Sequence, residues 1–220
     1  MTDASPLTDI RSRIAAAALR AGRETGDIEL IAVSKTRSAG DIRTLLEEGH
    51  RSFGENRVGE AEGKWPELRA DYPDAQLHMI GQLQSNKAEA AAALFDVIHT
   101  VDRPSLVKAL GKLVADGKTC PPCFLQVDIG EEEQKGGCAI GGIAALLERA
   151  RKAGLDMIGL MCIPPLEVEP APYFALLAKL ADEHGLRRLS MGMSADYETA
   201  VMLGATQVRV GTALFGPRPA

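Results

Sequence analysis

No stretch of the sequence is apolar for long enough to span a membrane. The amino terminus, Met1-Thr-Asp-Ala-Ser-Pro6, has neither the basic start nor the apolar segment of a secretory signal. Nor is there a cluster of Lys and Arg: the formal net charge is -5, and the basic face of a nucleic-acid binder is missing. These absences point to a cytoplasmic protein that engages neither membrane nor nucleic acid. Cysteine is scarce, with four in the chain. Cys120-Pro-Pro-Cys123 has the spacing of a metal or redox pair, but no second CxxC and no HxxxH completes a zinc site. A redox pair sits at a strand-to-helix junction, whereas this one precedes the apolar run Phe124-Leu-Gln-Val127; ordinary reduced thiols are expected. No sequence repeat or low-complexity tract is present.

What remains is a chain of 220 residues, 45% hydrophobic and 25% charged, enough for one sizeable core and a single domain over residues 1–220. Residues 5–22 read as a helix, with Leu7, Ile10, Ile14, Ala18 and Ala21 on one face and Gly22 as a stop. Short apolar runs then alternate with amphipathic ones. Strands are expected at 29–35, 51–54, 76–80, 97–101, 124–128, 156–161, 188–191 and 207–210. Helices are expected at 39–48, 58–70, 85–94, 104–115, 142–153, 172–184 and 195–203. Eight strands alternating with helices require right-handed crossovers and a parallel sheet, which closes as a (β/α)8 barrel. An open doubly wound sheet is the alternative, but the segment after the first strand, Thr36-Arg-Ser-Ala-Gly40, is not GxGxxG.

A barrel gathers its functional groups at the carboxyl ends of its strands. There the sequence places Lys35, Gly54-Glu55-Asn56, Gly81-Gln82, Met191-Gly192-Met193-Ser194 and Arg209-Val210-Gly211-Thr212. Lys35 follows an apolar strand. Its ammonium either snorkels to water or, partly buried, supplies the free amine that attacks an aldehyde. Gly192, Ser194, Gly211 and Thr212 fall after the seventh and eighth strands, where barrels bind phosphate. Glycines admit close backbone approach, and hydroxyls and amides donate to phosphate oxygens. Ser194 could instead cap a helix beginning at Ala195, and Gly211 could be a plain turn. If Val208 and Val210 face the helices, Arg209 points to the barrel interior or its rim and needs an acceptor there, an internal carboxylate or a ligand atom. His78 and His99 read as ordinary barrel residues. Asp196 reads as a helix-dipole partner.

The stretches Ala32-Val-Ser-Lys35-Thr36, Phe53-Gly-Glu-Asn56, His78-Met-Ile-Gly81-Gln-Leu-Gln-Ser-Asn86-Lys87, Gly159-Leu-Met161, Ser190-Met-Gly-Met-Ser194-Ala-Asp196 and Val208-Arg-Val-Gly-Thr212 together resemble the pyridoxal phosphate homeostasis proteins. The resemblance implies a barrel similar to the N-terminal domain of alanine racemase, without that enzyme's second domain. It implies pyridoxal 5'-phosphate as cofactor, held as a Schiff base on Lys35. Gly192, Met193 and Ser194, with Gly211 and Thr212, would hold the phosphate; Arg209 would face the pyridine nitrogen and Asn56 would lie near the ring. Where relatives tend to have an aromatic and a polar residue, Arg57 and Gly59 stand here, and Met79 replaces a usual Phe.

A carrier is expected rather than an enzyme. An arginine at the pyridine nitrogen disfavours the protonated ring that strong carbanion chemistry uses. None of Tyr72, Tyr173 and Tyr197 lies in a motif resembling the second base of the racemases. Apo pyridoxal-phosphate enzymes are the expected partners. A monomer is expected, since the racemase second domain supplies the usual dimer interface. The alternatives are a narrow racemase or lyase, and a cofactor-free Schiff-base aldolase working through Lys35.

Overall fold

A computed structural model of the protein describes residues 5–132 and 136–217. Eight parallel strands close into one barrel in sequence order: β1 (Glu29–Val33), β2 (Ser52–Glu55), β3 (Gln76–Met79), β4 (Val97–Val101), β5 (Cys123–Val127), β6 (Met157–Cys162), β7 (Arg188–Met193) and β8 (Gln207–Val210). The last strand pairs with the first, Ala32 opposite Val210. The helices are α1 (Pro6–Arg20), α2 (Ala39–Glu47), α3 (Val58–Glu62), α4 (Trp65–Asp71), α5 (Ala88–Leu94), α6 (Pro104–Ala115), α7 (Ile143–Lys152), α8 (Ala171–Glu183), α9 (Tyr197–Met202) and α10 (Thr212–Phe215).

Local chemistry explains the boundaries. Ser5 caps α1 by accepting from the Thr8 amide, and Pro6 occupies the first turn, where its missing N–H costs nothing. Ser38 and Asp41 form a reciprocal capping box at the start of α2. The single helix expected over 58–70 is two, α3 and α4, broken at Gly63 and Lys64. Pro66 is the cause: it has no N–H to give, and its ring would clash with the Glu62 carbonyl in a continuous helix. β7 runs to Met193, two residues beyond expectation, because its register against β8 shifts between Ser190 and Met193. Gly192 absorbs that irregularity at φ +89°, and a Cβ there would stand 2.5 Å from that of Ala200.

Strand alternation divides the residues. Leu30, Ala32, Phe53, Leu77 and Val208 face the helices and join Leu7, Ile10, Ile42 and Trp65 in the apolar layer between barrel and helices. Inside the barrel the residues are unusually polar: Ser52, His78, His99, Ser190, Gln207 and Arg209 are all buried. Bulky aliphatic side chains usually fill such an interior. Here hydrogen bonds must do so, because an unpaired buried polar group costs about 1–3 kcal/mol.

Among the described residues no helix is long and apolar enough to cross a membrane. The four cysteines are unbridged. Cys120 and Cys123 lie at the amino end of β5, so they sit at the end of the barrel away from the strand ends that carry Lys35 and Asn56.

Candidate functional site

The site is built on four neighbouring staves, β7, β8, β1 and β2. Lys35 lies two residues past β1, half-buried, rather than within the strand as expected. Asn56 follows β2 directly and is also half-buried. Its backbone is pressed against Gly81 after β3, where a Cβ would come within 2.2 Å of the Asn56 carbonyl oxygen. Glycine at 81 therefore lets the ends of β2 and β3 meet. Asn56 lines a pocket of about 520 Å³ with Arg57, Met79, Gln82, Gln84 and Lys87.

The two loops expected to hold an anion are joined. The Gly211 amide donates to Ser194 Oγ at 3.2 Å, linking the ends of β7 and β8. Ser194 does not cap a helix, which corrects that alternative: α9 starts at Tyr197, and Asp196 instead accepts from the Met193 amide at 2.5 Å. With Gly211 donating to its oxygen, the Ser194 hydroxyl hydrogen remains available for a further acceptor. Gly211 also packs on β1, its Cβ position lying 3.3 Å from that of Val33. Thr212, exposed, is the first residue of α10.

Arg209 points inward as the alternation of β8 implied, and is 4% exposed. It donates to Ser190 Oγ at 2.6 Å and to the Cys162 carbonyl at 2.9 Å. From Ser190 a chain of hydrogen bonds crosses the barrel. His99 Nδ1 meets Ser190 Oγ at 2.8 Å, and its Nε2 meets His78 Nδ1 at 3.0 Å. His78 Nε2 reaches Ser52 Oγ at 3.1 Å and Glu29 at 3.3 Å. A guanidinium only donates, so Arg209 donates to Ser190, whose own hydroxyl hydrogen is free to donate to His99 Nδ1. His99 stays neutral, its pKa pushed well below the ordinary value by burial and then by His78 and Arg209. The chain thus has a cation at the upper end and a carboxylate at the lower end, with the neutral His99 between them. Sequence reasoning missed it. Its members lie on β1, β2, β3, β4, β7 and β8, and only closure of the barrel makes them neighbours.

The lower end of the barrel has a consequence for acid stability. Burial lowers His50 to about 4, and the neutral ring donates to the Ser52 carbonyl at 2.7 Å and accepts from Arg11 at 3.3 Å. Burial would raise Glu29, but the hydrogen bond and electrostatic pull of His78, with hydrogen bonds from Ser52 and Gln207, bring it to about 2. An unfolded histidine takes up its proton near 6.5 and the folded His50 only near 4, so its contribution is present above pH 6.5 and lost by about pH 4. That of Glu29 is lost later, from about pH 4.5 to about pH 2. His50→Gln keeps a donor and an acceptor without the titration. Denaturant unfolding of this variant should lose roughly 3 kcal/mol less than the parent between pH 7 and pH 4. Equal losses in the two proteins would refute the assignment.

Among the described residues no group of three or more His, Cys, Asp or Glu could hold a metal ion. The donor set is instead an amine, hydroxyls, backbone amides and a buried guanidinium. That combination suits an anionic aromatic aldehyde: the amine for the carbonyl carbon, the hydroxyls and amides for an anion, the guanidinium for a ring acceptor.

A closed parallel barrel with this donor set at one rim defines a barrel protein of the alanine racemase type. The alanine racemase N-terminal domain matches residues 7–219. The chain belongs to that family and, within it, to the pyridoxal phosphate homeostasis proteins. It is 41% identical over 223 residues to the pyridoxal phosphate homeostasis protein of Pseudomonas aeruginosa, covering 99% of this chain and 96% of that one. It is 37% identical to the protein of the same name from Escherichia coli K12, covering 96% of this chain and 95% of that one. The structure of PipY from Synechococcus elongatus with pyridoxal phosphate bound superimposes with a TM-score of 0.80 at 39% identity, over 94% of this chain and 100% of PipY. Alanine racemase of Clostridium difficile, at 16% identity and a TM-score of 0.70, shares the fold over 57% of its own length.

Proposed function

We propose that the protein binds pyridoxal 5'-phosphate (PLP) as a Schiff base on Lys35 and acts in PLP homeostasis, holding the cofactor and releasing it to apo PLP-dependent enzymes. The observation that carries this reading is the convergence of Lys35, Asn56, Ser194, Gly211 and Thr212 on four adjoining staves beside the buried Arg209. PLP supplies, when bound, an aldehyde that condenses with an amine and a ring that withdraws electrons. The chain's own residues do the rest. Lys35 offers the amine, and condensation releases one water. Ser194, Thr212 and the Gly192–Ser194 backbone bind the phosphate. Asn56 orients the ring. Arg209, held by Ser190 and the Cys162 carbonyl, opposes protonation of the pyridine nitrogen by charge repulsion.

The same groups support a carrier rather than a racemase or lyase. Two of the three tyrosines are committed elsewhere: Tyr197 is buried behind Gly192, and Tyr72 lies against Arg43 and Arg51. We place the protein in the cytoplasm as a monomer, with a single domain over residues 1–220. The test is to load the apo protein with PLP, record the visible spectrum, and incubate it with a panel of amino acids in deuterated water. A visible absorption band, no α-proton exchange above a Lys35→Ala blank, and transfer of PLP to an apo acceptor enzyme are expected. Lysine-dependent exchange would establish the enzyme alternative, and failure to bind PLP would overturn the proposal.

A further inference from the structure

Lys64 stands at the break between α3 and α4 that Pro66 imposes, and its side chain is only 13% exposed. It turns back onto the barrel. Its ammonium lies 3.1 Å from the Ser34 carbonyl and 3.3 Å from the Arg37 carbonyl, the residues on either side of Lys35-Thr36. It also pairs with Glu55 at 2.7 Å and Glu60 at 2.9 Å. Both carboxylates grip the same turn. Glu55, fully buried, accepts from Ser34 Oγ at 2.7 Å and from the Trp65 indole at 3.2 Å. Glu60 accepts from the Thr36 amide at 2.5 Å. Thr36 is held at φ +62°, a left-handed conformation that a β-branched residue adopts only under constraint. Beyond it, the Arg37 side chain donates to the Gly216 and Pro217 carbonyls and lies over Phe215, tying the turn to the end of α10.

We propose that Lys64 is a positioning residue for Lys35: with Glu55 and Glu60 it clamps the turn 34–37 in the strained form that aims the Lys35 amine at the cofactor aldehyde. The inference rests on Lys35 being the Schiff-base lysine. The clamp acts on the backbone of 34, 36 and 37, and the partners of Lys64, Glu55 and Glu60 named above lie outside Gly192–Ser194, Gly211 and Thr212. Its loss should therefore weaken imine formation and spare the rest of the binding. A merely structural role would weaken both together.

Pyridoxine 5'-phosphate separates these outcomes, since it has the same ring and phosphate but an alcohol where PLP has the aldehyde. Lys64→Met keeps the aliphatic stem and removes the ammonium. PLP affinity should fall at least about tenfold and borohydride trapping of PLP on Lys35 should slow in proportion, while pyridoxine 5'-phosphate affinity stays within about twofold. Equal losses for the two ligands, or no loss for PLP, would overturn the proposal. Glu60→Ala supplies the same comparison if Lys64→Met does not fold. Its side chain is 26% exposed, and removing it frees only the Thr36 amide and one partner of Lys64. The PLP preference should drop about threefold, and an unchanged preference in this variant would overturn the clamp. The wild-type protein tells the two failures apart. If it traps no PLP on Lys35 and does not prefer PLP to the alcohol, the Schiff-base reading fails. If it does both and the variants keep both, only the clamp fails.

Discussion

Lys35→Ala should leave PLP impossible to fix to the protein with borohydride and should weaken it on the order of 100-fold, a loss of roughly 2.7 kcal/mol. The phosphate loops would still hold the cofactor loosely, so weak binding without the visible imine band is the expected residue of the site. Peptide mapping of the reduced wild-type protein decides the point, because other amines lie close by. Lys87 lines the pocket beside Asn56, and Lys64 touches the turn that carries Lys35. A phosphopyridoxyl label on Lys87 or Lys64, or undiminished trapping in Lys35→Ala, would remove Lys35 from the role. Unfolding of the variant apo protein should stay close to that of the parent, because substitution at a half-buried position after a strand creates no core cavity.

The strand ends were legible because two periodicities coexist in the chain. Alternation in Gln207-Val208-Arg209-Val210 turns the arginine inward, and residues with 3.6-residue spacing, such as Leu7, Ile10 and Ile14, mark the helix. The joining of Ser194 to Gly211 followed from barrel closure: two Gly-plus-hydroxyl segments on adjacent staves must meet. What stayed hidden was tertiary in origin. His78 and His99 occupy inward positions that an apolar residue fills equally well in the pattern, and Ser190, the partner of His99, is 91 residues away in the chain. Lys64 looks like any solvated helix lysine until Pro66 is given its steric weight. That proline was the available signal for the break, but the apolar spacing of Val58, Ala61, Trp65 and Leu68 runs through it. The four-residue α10 is too short for periodicity to register.

Removing both Ser194 and Thr212 hydroxyls should cost PLP between about 150-fold and 20,000-fold in affinity, because each charge-assisted hydrogen bond to a phosphate contributes roughly 1.5–3 kcal/mol. Pyridoxal, which lacks the phosphate, should bind the double variant nearly as it binds the parent. Ser194 has the larger share. Its oxygen is held by the Gly211 amide, which turns its hydrogen away from that donor, and Ser194→Ala also removes the acceptor of that amide. Thr212 is exposed and pays more entropy to be ordered. Helix capping does not confound the measurement, since α9 begins at Tyr197 and Ser194 caps nothing. Stability should fall by no more than about 1 kcal/mol, the worth of the Gly211 hydrogen bond. Equal losses for PLP and pyridoxal would mean that these loops shape the rim without holding phosphate. Selective loss of PLP would assign the phosphate to the loops after β7 and β8.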